Sequence, residues 1–378
     1  MAELYSLPDG WNEKKLNTLC KLEYGKNLPT TIMLDYGYKV FGANGVIGYY
    51  SEFNCENIEV LISCRGANSG VVNLSPKESF VTNNSIRCKD LDVSSTDKMF
   101  LYYFLKTYDK SKIVTGSAQP QVTIQSLDLV SIPLPPLEEQ KRIVAKLDIL
   151  FAKIDKAIAL HQKNIDEADI FMASVLNDVF VELEEKYEKI PLFDVADVNR
   201  GKSKHRPRND KKLFGGNYPF IQTGDVRNAN KYIDTFSETY SEFGLSQSKL
   251  WKKGTICMTI AANIGDVAIL NIDSCFPDSV VGIYSENNSN DFLYYFLLTL
   301  KQQLESQATT TAQMNINLKI LQTIGVPLPP LKTQQKVVSY LDEISNKMEK
   351  IKQIQKEKMQ SLKELKASIL DKAFKGEL

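Results

Sequence analysis

The feature that most constrains this chain is a repeat. Pro133-Leu134-Pro135-Pro136-Leu137-Glu138-Glu139-Gln140 returns 194 residues later as Pro327-Leu328-Pro329-Pro330-Leu331-Lys332-Thr333-Gln334. The same offset continues through Leu147-Asp148 and Leu341-Asp342, and backwards it joins Ala118-Gln119 to Ala312-Gln313 and Ser85 to Ser279. Nearby offsets align Leu101-Tyr102-Tyr103-Phe104-Leu105 with Leu293-Tyr294-Tyr295-Phe296-Leu297, Asn68-Ser69-Gly70 with Asn263-Ile264-Gly265, and Gly25-Lys26 with Gly201-Lys202. A fixed long period means one architectural unit used twice. One copy spans 1–184 and the other 185–378, each a globular part followed by a helical part. The boundaries read as 1–136 globular, 137–184 helical, 185–330 globular and 331–378 helical.

The fold class predicted is α+β. Val60–Cys64 and Thr255–Ile260 read as short buried strands, each followed by Gly/Asn-rich turn chemistry. The Leu-Tyr-Tyr-Phe-Leu segments read as one packed helix in each copy. An alternative use, stacking of nucleobases on the tyrosines, is the less favoured reading.

In the first helical part, apolar residues recur at Val144, Leu147, Phe151, Ile154, Ile158, Ile165, Ala168, Met172, Val175 and Val179, with His161 completing the series as a tolerated polar knob. Steps alternating three and four make a heptad seam. The second seam runs Leu341, Ile344, Met348, Ile351, Leu362, Leu365 and Ile369, with a polar interruption near Gln355 and Lys358. Helices this long need a partner, and the natural partner is the other copy's helix. Each Leu-Pro-Pro-Leu sits between a sheet-rich part and a helix. Two prolines keep the entry extended and open the first helical turn, so the motif reads as a stiff elbow rather than a polyproline docking segment.

Composition excludes several classes. Hydrophobic content of 43% with 24% charged residues suits a globular chain. No apolar run approaches bilayer length and no secretory leader is visible, so a cytoplasmic location is expected. Six cysteines without C-x-x-C spacing and only two histidines, His161 and His205, leave no metal site to assign and predict reduced, buried thiols. No phosphate-binding loop, nucleotide-cofactor fingerprint, methyltransferase Pro-Pro-aromatic motif or nuclease acid pattern is present. Net charge is zero, yet residues 199–212 hold seven Lys or Arg against one acid. Residues 138–188 hold twelve acids against seven bases. Such a division suits one region facing phosphate and another facing protein.

The paired elbows, the aromatic segments, the Ala-Gln pairs and the order globular–helix–globular–helix resemble the specificity (S) subunit of type I restriction–modification enzymes, over essentially the whole chain. The second elbow departs in carrying Lys332-Thr333 where the first has Glu138-Glu139. The resemblance implies two target recognition domains that each read one half of a bipartite double-stranded DNA site, joined by two long helices that pair as an antiparallel coiled coil with a pseudo-twofold relation, set the spacer and dock modification (M) subunits. It implies a chain with no catalytic residues and no cofactor of its own. M subunits would supply S-adenosylmethionine-dependent adenine methylation, and restriction (R) subunits the ATP- and Mg-dependent translocation and cleavage.

Candidate DNA contacts are loop residues able to reach base edges or phosphates. In the first copy these are Lys26, Asn44, Arg65, Asn68, Asn83, Asn84 and Gln119. In the second they are Arg200, Lys202, Lys204, Arg206, Arg208, Thr223, Arg227, Asn263 and Gln313. Any single Asn could instead simply close a turn. Two rival functions remain distinguishable by experiment: a fused methyltransferase or nuclease, which would act alone, and a protein-only scaffold, which would not retain DNA at low salt.

Overall fold

The computed structural model describes residues 7–116, 119–261, 264–309 and 318–378, without the side chains of 306–309. The chain divides into two compact units, one formed by residues 1–162 with 356–378 and the other by 163–355. The architecture is α+β in both, and both repeat one plan.

In the first unit, an antiparallel sheet orders its strands Lys21–Tyr24, Ser85–Lys89, Val60–Ser63 and Val72–Leu74. Val60–Ser63 is buried throughout, the pattern of a strand covered on both faces. One cover is the helix Lys98–Thr107, which carries the aromatic motif and buries Phe100, Leu101, Phe104 and Leu105. Asp97 caps it by accepting the N–H groups of Met99 and Phe100, two donors the helix cannot satisfy itself. The second unit repeats this with strands Asp197–Arg200, Val280–Tyr284, Ile256–Thr259 and Val267–Leu270, plus a parallel edge strand Tyr232–Ile233. Its aromatic helix, Asn290–Thr299, is capped by Ser289. Tyr294 and Tyr295 are almost fully buried, so in this unit the motif is core packing.

Both elbows are built alike. Ser131–Leu134 pairs with Asn12–Lys15, and Gly325–Pro327 pairs with Lys189–Pro191. The helices then begin at Leu137 and Leu331 and run to Lys186 and Phe374. The carbonyl of Pro136 accepts from the N–H groups of Glu139 and Gln140, and that of Pro330 from Thr333 and Gln334, so the second proline of each pair stands at the helix threshold.

Within each unit the two long helices pack antiparallel. In the first, Lys366 donates to both oxygens of Asp155 at 2.8 and 2.9 Å and lies 4.6 Å from the Phe151 ring. In the second, Lys352 donates to Asp169 at 2.9 Å and Asn164 donates to Gln355. These contacts correct the second seam. Ile351 and Leu365, assigned to it from spacing, are exposed. The less exposed stripe is Met348, Lys352, Gln355, Met359, Leu362, Lys366, Ile369 and Ala373, an unbroken alternation of four and three. Its lysines bury their stems and aim their heads at acids on the facing helix, Asp169 and Asp155, while Gln355 accepts from Asn164. Gln355 of the polar interruption is thus part of the seam, whereas Lys358 is exposed outside it.

The ends of the helices belong to the globular cores. Ile143 and Leu147 are buried in the first core, where Phe374 meets Phe100 and Phe104 edge-on at 5.2 and 5.4 Å. In the second core, Leu176, Phe180 and Leu183 are buried, and Phe180 lies 5.4 and 5.5 Å from Phe292 and Phe296. Phe180 and Phe374 stand at the 194-residue offset, a repeat signal one residue beyond Val179, the last position of the first seam read from spacing.

Candidate nucleic-acid interface

Antiparallel pairing decides where loops go. In the first unit, strand Lys21–Tyr24 ends, Val60–Ser63 ends and Ser85–Lys89 begins at the same edge of the sheet, since Tyr24 pairs with Ile86 and Ser63 with Ser85. The segments Gly25–Lys26, Cys64–Asn68 and Asn83–Asn84 therefore emerge together. Backbone hydrogen bonds lock them. Asn83 N–H donates to Lys26 O at 3.0 Å, Cys64 N–H to Asn84 O at 2.9 Å, and Gly66 N–H to Pro120 O at 3.0 Å. Arg65 bridges Gln121, which brings in the stretch after Gln119. The hairpin turn Gly42–Gly45, carrying Asn44, is held by Ser85 Oγ on the Gly42 carbonyl and by Ser63 Oγ on that of Ala43.

All seven candidates of the first unit thus lie on loops gathered at one sheet edge. Lys26, Asn44, Arg65, Asn68 and Gln119 are exposed, and Asn83 and Asn84 half-buried. The carbonyls of Asn68, Asn83 and Asn84 also serve the loops themselves.

The second unit gathers the corresponding loops. Arg200 closes its strand, and Gly201–Lys202 follow. Gly201 N–H donates to Val280 O and Lys202 N–H to Phe276 O, as Gly25 N–H donates to Ser85 O and Lys26 N–H to Val81 O. The two glycines are structurally equivalent. A Cβ at Gly25 would stand 2.2 Å from the Thr82 carbonyl, and one at Gly201 2.3 Å from that of Pro277. The same bonds match Ser85 to Val280, one residue beyond the Ser279 indicated by the offset. Gly70 and Gly265 are likewise equivalent, both at φ near +80°, donating to Ser63 O and Thr259 O.

The basic run is more structured than its composition suggests. Arg206 donates to the carbonyls of Ser203 and His205, and Arg208 donates to both oxygens of Asp278 at 3.0 Å. The Lys212 N–H and the His205 ring hold the Asp210 carboxyl below the usual range. Lys202 and Lys204 are exposed. Thr223 opens the short helix Thr223–Asn228, and Arg227 sits exposed in its last turn. Asn263 and Gln313, with Ala118 and Ala312 of the repeated pairs, lie outside the described residues.

A cavity of about 680 Å³ opens beside this edge, lined by Ser203, Arg208, Thr223, Pro277 and Ser279 among others. All six cysteines are buried free thiols. Among the described residues no group of three or more His, Cys, Asp or Glu could hold a metal, and no helix is long and apolar enough to cross a membrane.

Spacing alone does not reveal the polar residues that hold each unit to its helices. Tyr103 donates to Asp148 and Tyr295 to Asp342, each at 2.5 Å. In the second unit Lys231 adds ion pairs to Asp291 and Asp342 at 2.8 and 2.6 Å. The coincidence of a repeated Tyr with a repeated Leu-Asp could have revealed the first two; Lys231 lacks such a signal.

The model of the type I restriction modification DNA specificity domain matches this chain twice, over residues 8–167 and 184–358. The chain belongs to the type I restriction–modification specificity subunits. It is similar to the type I restriction enzyme MjaVIII specificity subunit of Methanocaldococcus jannaschii, 26% identical over 94% of this chain and 91% of that one. Its fold matches a chain solved in a study of complex assembly and conformational transition of the type I R-M system, with TM-score 0.75, 23% identity and 99% and 100% of the two chains covered. It also matches the HsdS subunit of Thermoanaerobacter tengcongensis, at TM-score 0.53 and 22% identity over 100% and 99%. In this specificity subunit each of the two family matches spans one copy of the repeat, the loop cluster just described included.

Proposed function

We propose that each unit of this specificity subunit reads one half of a bipartite double-stranded DNA site through the loops at its sheet edge. The observation that carries the reading is the convergence of seven separately placed polar loop residues on one edge of the first unit, with the equivalent edge of the second unit carrying Arg200 at its strand end and Lys202 and Lys204 on the loop that follows. Phosphate contacts by the lysines and arginines fix register, and the Asn, Gln and Arg side chains discriminate base edges.

The long helices set the unread spacer and dock M subunits. Exposed Ile149 and Leu160 in the first unit, and Ile170 and Phe171 in the second, give the central helix apolar side chains for a protein partner. The chain itself carries no catalytic residue and binds no cofactor. M subunits bring S-adenosylmethionine, R subunits bring ATP and Mg, and the complex works in the cytoplasm. The test is methylome sequencing of a host expressing this chain with its M subunit. A single bipartite methylated motif, dependent on both proteins, is the expected result; methylation by the purified chain alone, or by M without it at the same motif, would refute the reading.

A further inference from the structure

The 680 Å³ cavity of the second unit has a rigid floor and one unexpected charge. Phe220 and Tyr240 stack face to face at 4.0 Å with 12° between their planes, and both are buried. Phe214 meets Tyr240 edge-on at 5.4 Å. Strand Glu238–Tyr240 pairs with Phe214–Phe220 so that Glu238 stands opposite Phe220, and Gln222 follows two residues on. Gln222 Nε2 donates to Glu238 Oε2 at 2.7 Å, and the Gln222 backbone is fixed by its own N–H on Asp225 at 2.8 Å. Among the described residues Glu238 Oε1 has no hydrogen-bond partner. The rim is basic, with Arg208 held by Asp278 and Lys211 beside it.

A carboxylate inside a basic rim repels phosphate. It favours a neutral hydrogen-bond donor, and on the major-groove edge of DNA the donors are the exocyclic amines of cytosine N4 and adenine N6. The Gln222 amide, by spending a donor on Glu238, leaves that face of the pair rich in acceptors. Guanine and thymine present a carbonyl in that place and would face the carboxylate with like partial charge.

We propose that this cavity is the base-reading groove of the second unit and that Glu238, positioned by Gln222, selects an amine-bearing base, C or A, at one position of that half-site. The inference rests on the DNA-reading function proposed above and adds a residue and a base class to it. Arg208 at the rim supplies the opposing donor for a phosphate or a guanine.

The experiment selects bound sequences from a pool of duplexes with both half-sites randomised, using the chain assembled with its M subunits. Wild type is expected to require C or A at one position of one half-site by ~10- to 100-fold over G and T. Glu238→Gln, whose amide can also donate, should cut that preference at least about tenfold and admit G or T, while the other half-site is unchanged and reports a folded complex. Gln222→Met keeps the carboxylate but frees it, and should weaken the same preference several-fold; it serves as the reading if Glu238→Gln fails to fold. Unchanged selection in the folded variants overturns the proposal. No bipartite site for wild type would instead overturn the DNA-reading function itself.

Discussion

The side-chain carbonyl of Gln140 accepts the backbone N–H of Asp97 at 2.7 Å, joining the first turn of the central helix to the cap of the aromatic helix. Its Nε2 donates to the carbonyls of Ser95 and Pro135, each at 2.8 Å. Gln334 repeats this clamp with the Ser289 N–H, the Asn288 side chain and the Pro329 carbonyl. Both glutamines are buried. The clamp fixes the elbow angle in each unit, because a buried amide with all its partners in place has one orientation.

Gln140→Leu and Gln334→Leu should each cost about 3 kcal/mol, since each leaves buried backbone groups without partners. Glu138→Gln, which removes an exposed ion pair with Lys141, should stay within about 0.5 kcal/mol. Denaturant unfolding of the three variants checks both statements.

Burial raises the phenols of Tyr103 and Tyr295, and the carboxylates of Asp148 and Asp342 that accept their hydrogen bonds add to it. The folded chain therefore keeps protons that the unfolded chain releases above about pH 10. Their contribution is complete below that pH and is lost as pH rises beyond it. Ultraviolet titration should show these tyrosines ionising only on unfolding. Tyr103→Phe should cost about 1 kcal/mol at neutral pH and flatten the alkaline fall in stability.

Gly25→Ala and Gly201→Ala would each drive a methyl group into a backbone carbonyl that has no room to retreat without breaking the loop edge. A loss of at least ~2 kcal/mol is expected, with weakened DNA binding. Gly224, helical and open on all sides, is the control, and Gly224→Ala should be neutral or stabilising by up to about 1 kcal/mol. Thermal melting and DNA retention read both.

Lys202→Ala and Lys204→Ala should each lower the salt slope of DNA binding by about one unit, the signature of a lost phosphate contact. Arg206→Ala should leave the slope nearly unchanged and loosen the loop instead, because its guanidinium serves the carbonyls of Ser203 and His205. Equal slopes for wild type and both lysine variants would remove these lysines from the interface.

Seven residues inserted in register, between Gln162 and Lys163 and between Gln355 and Lys356, keep the seam in phase. They lengthen each helix by about 10 Å. The spacer of the selected DNA site should grow by about three base pairs, with some affinity lost to the accompanying ~100° rotation. Half-site bases should not change. An unchanged spacer refutes the ruler role of the helices.

Several parts of this molecule are written locally in its chain. The twofold use of one unit, the proline elbows, the buried strands and the aromatic helices follow from periodicity and turn chemistry, which act over a few residues. The first seam was legible because its members from Val144 to Ile154 are apolar and buried. The second was misplaced by one position at Ile351 and Leu365, because the residues that occupy it there are Lys352 and Lys366. A lysine enters such a seam only when Asp169 or Asp155 waits on the facing helix, and that pairing joins residues about two hundred apart. The same holds for the reading edges. Lys26, Arg65 and Asn83 each look like ordinary turn residues, and antiparallel register brings their loops together. Glu238 carries no sequence signal at all, since its role depends on Gln222 beside it and a stacked Phe220–Tyr240 floor beneath. Local propensity sets which elements form, and only the paired strands and helices decide which distant side chains share a surface.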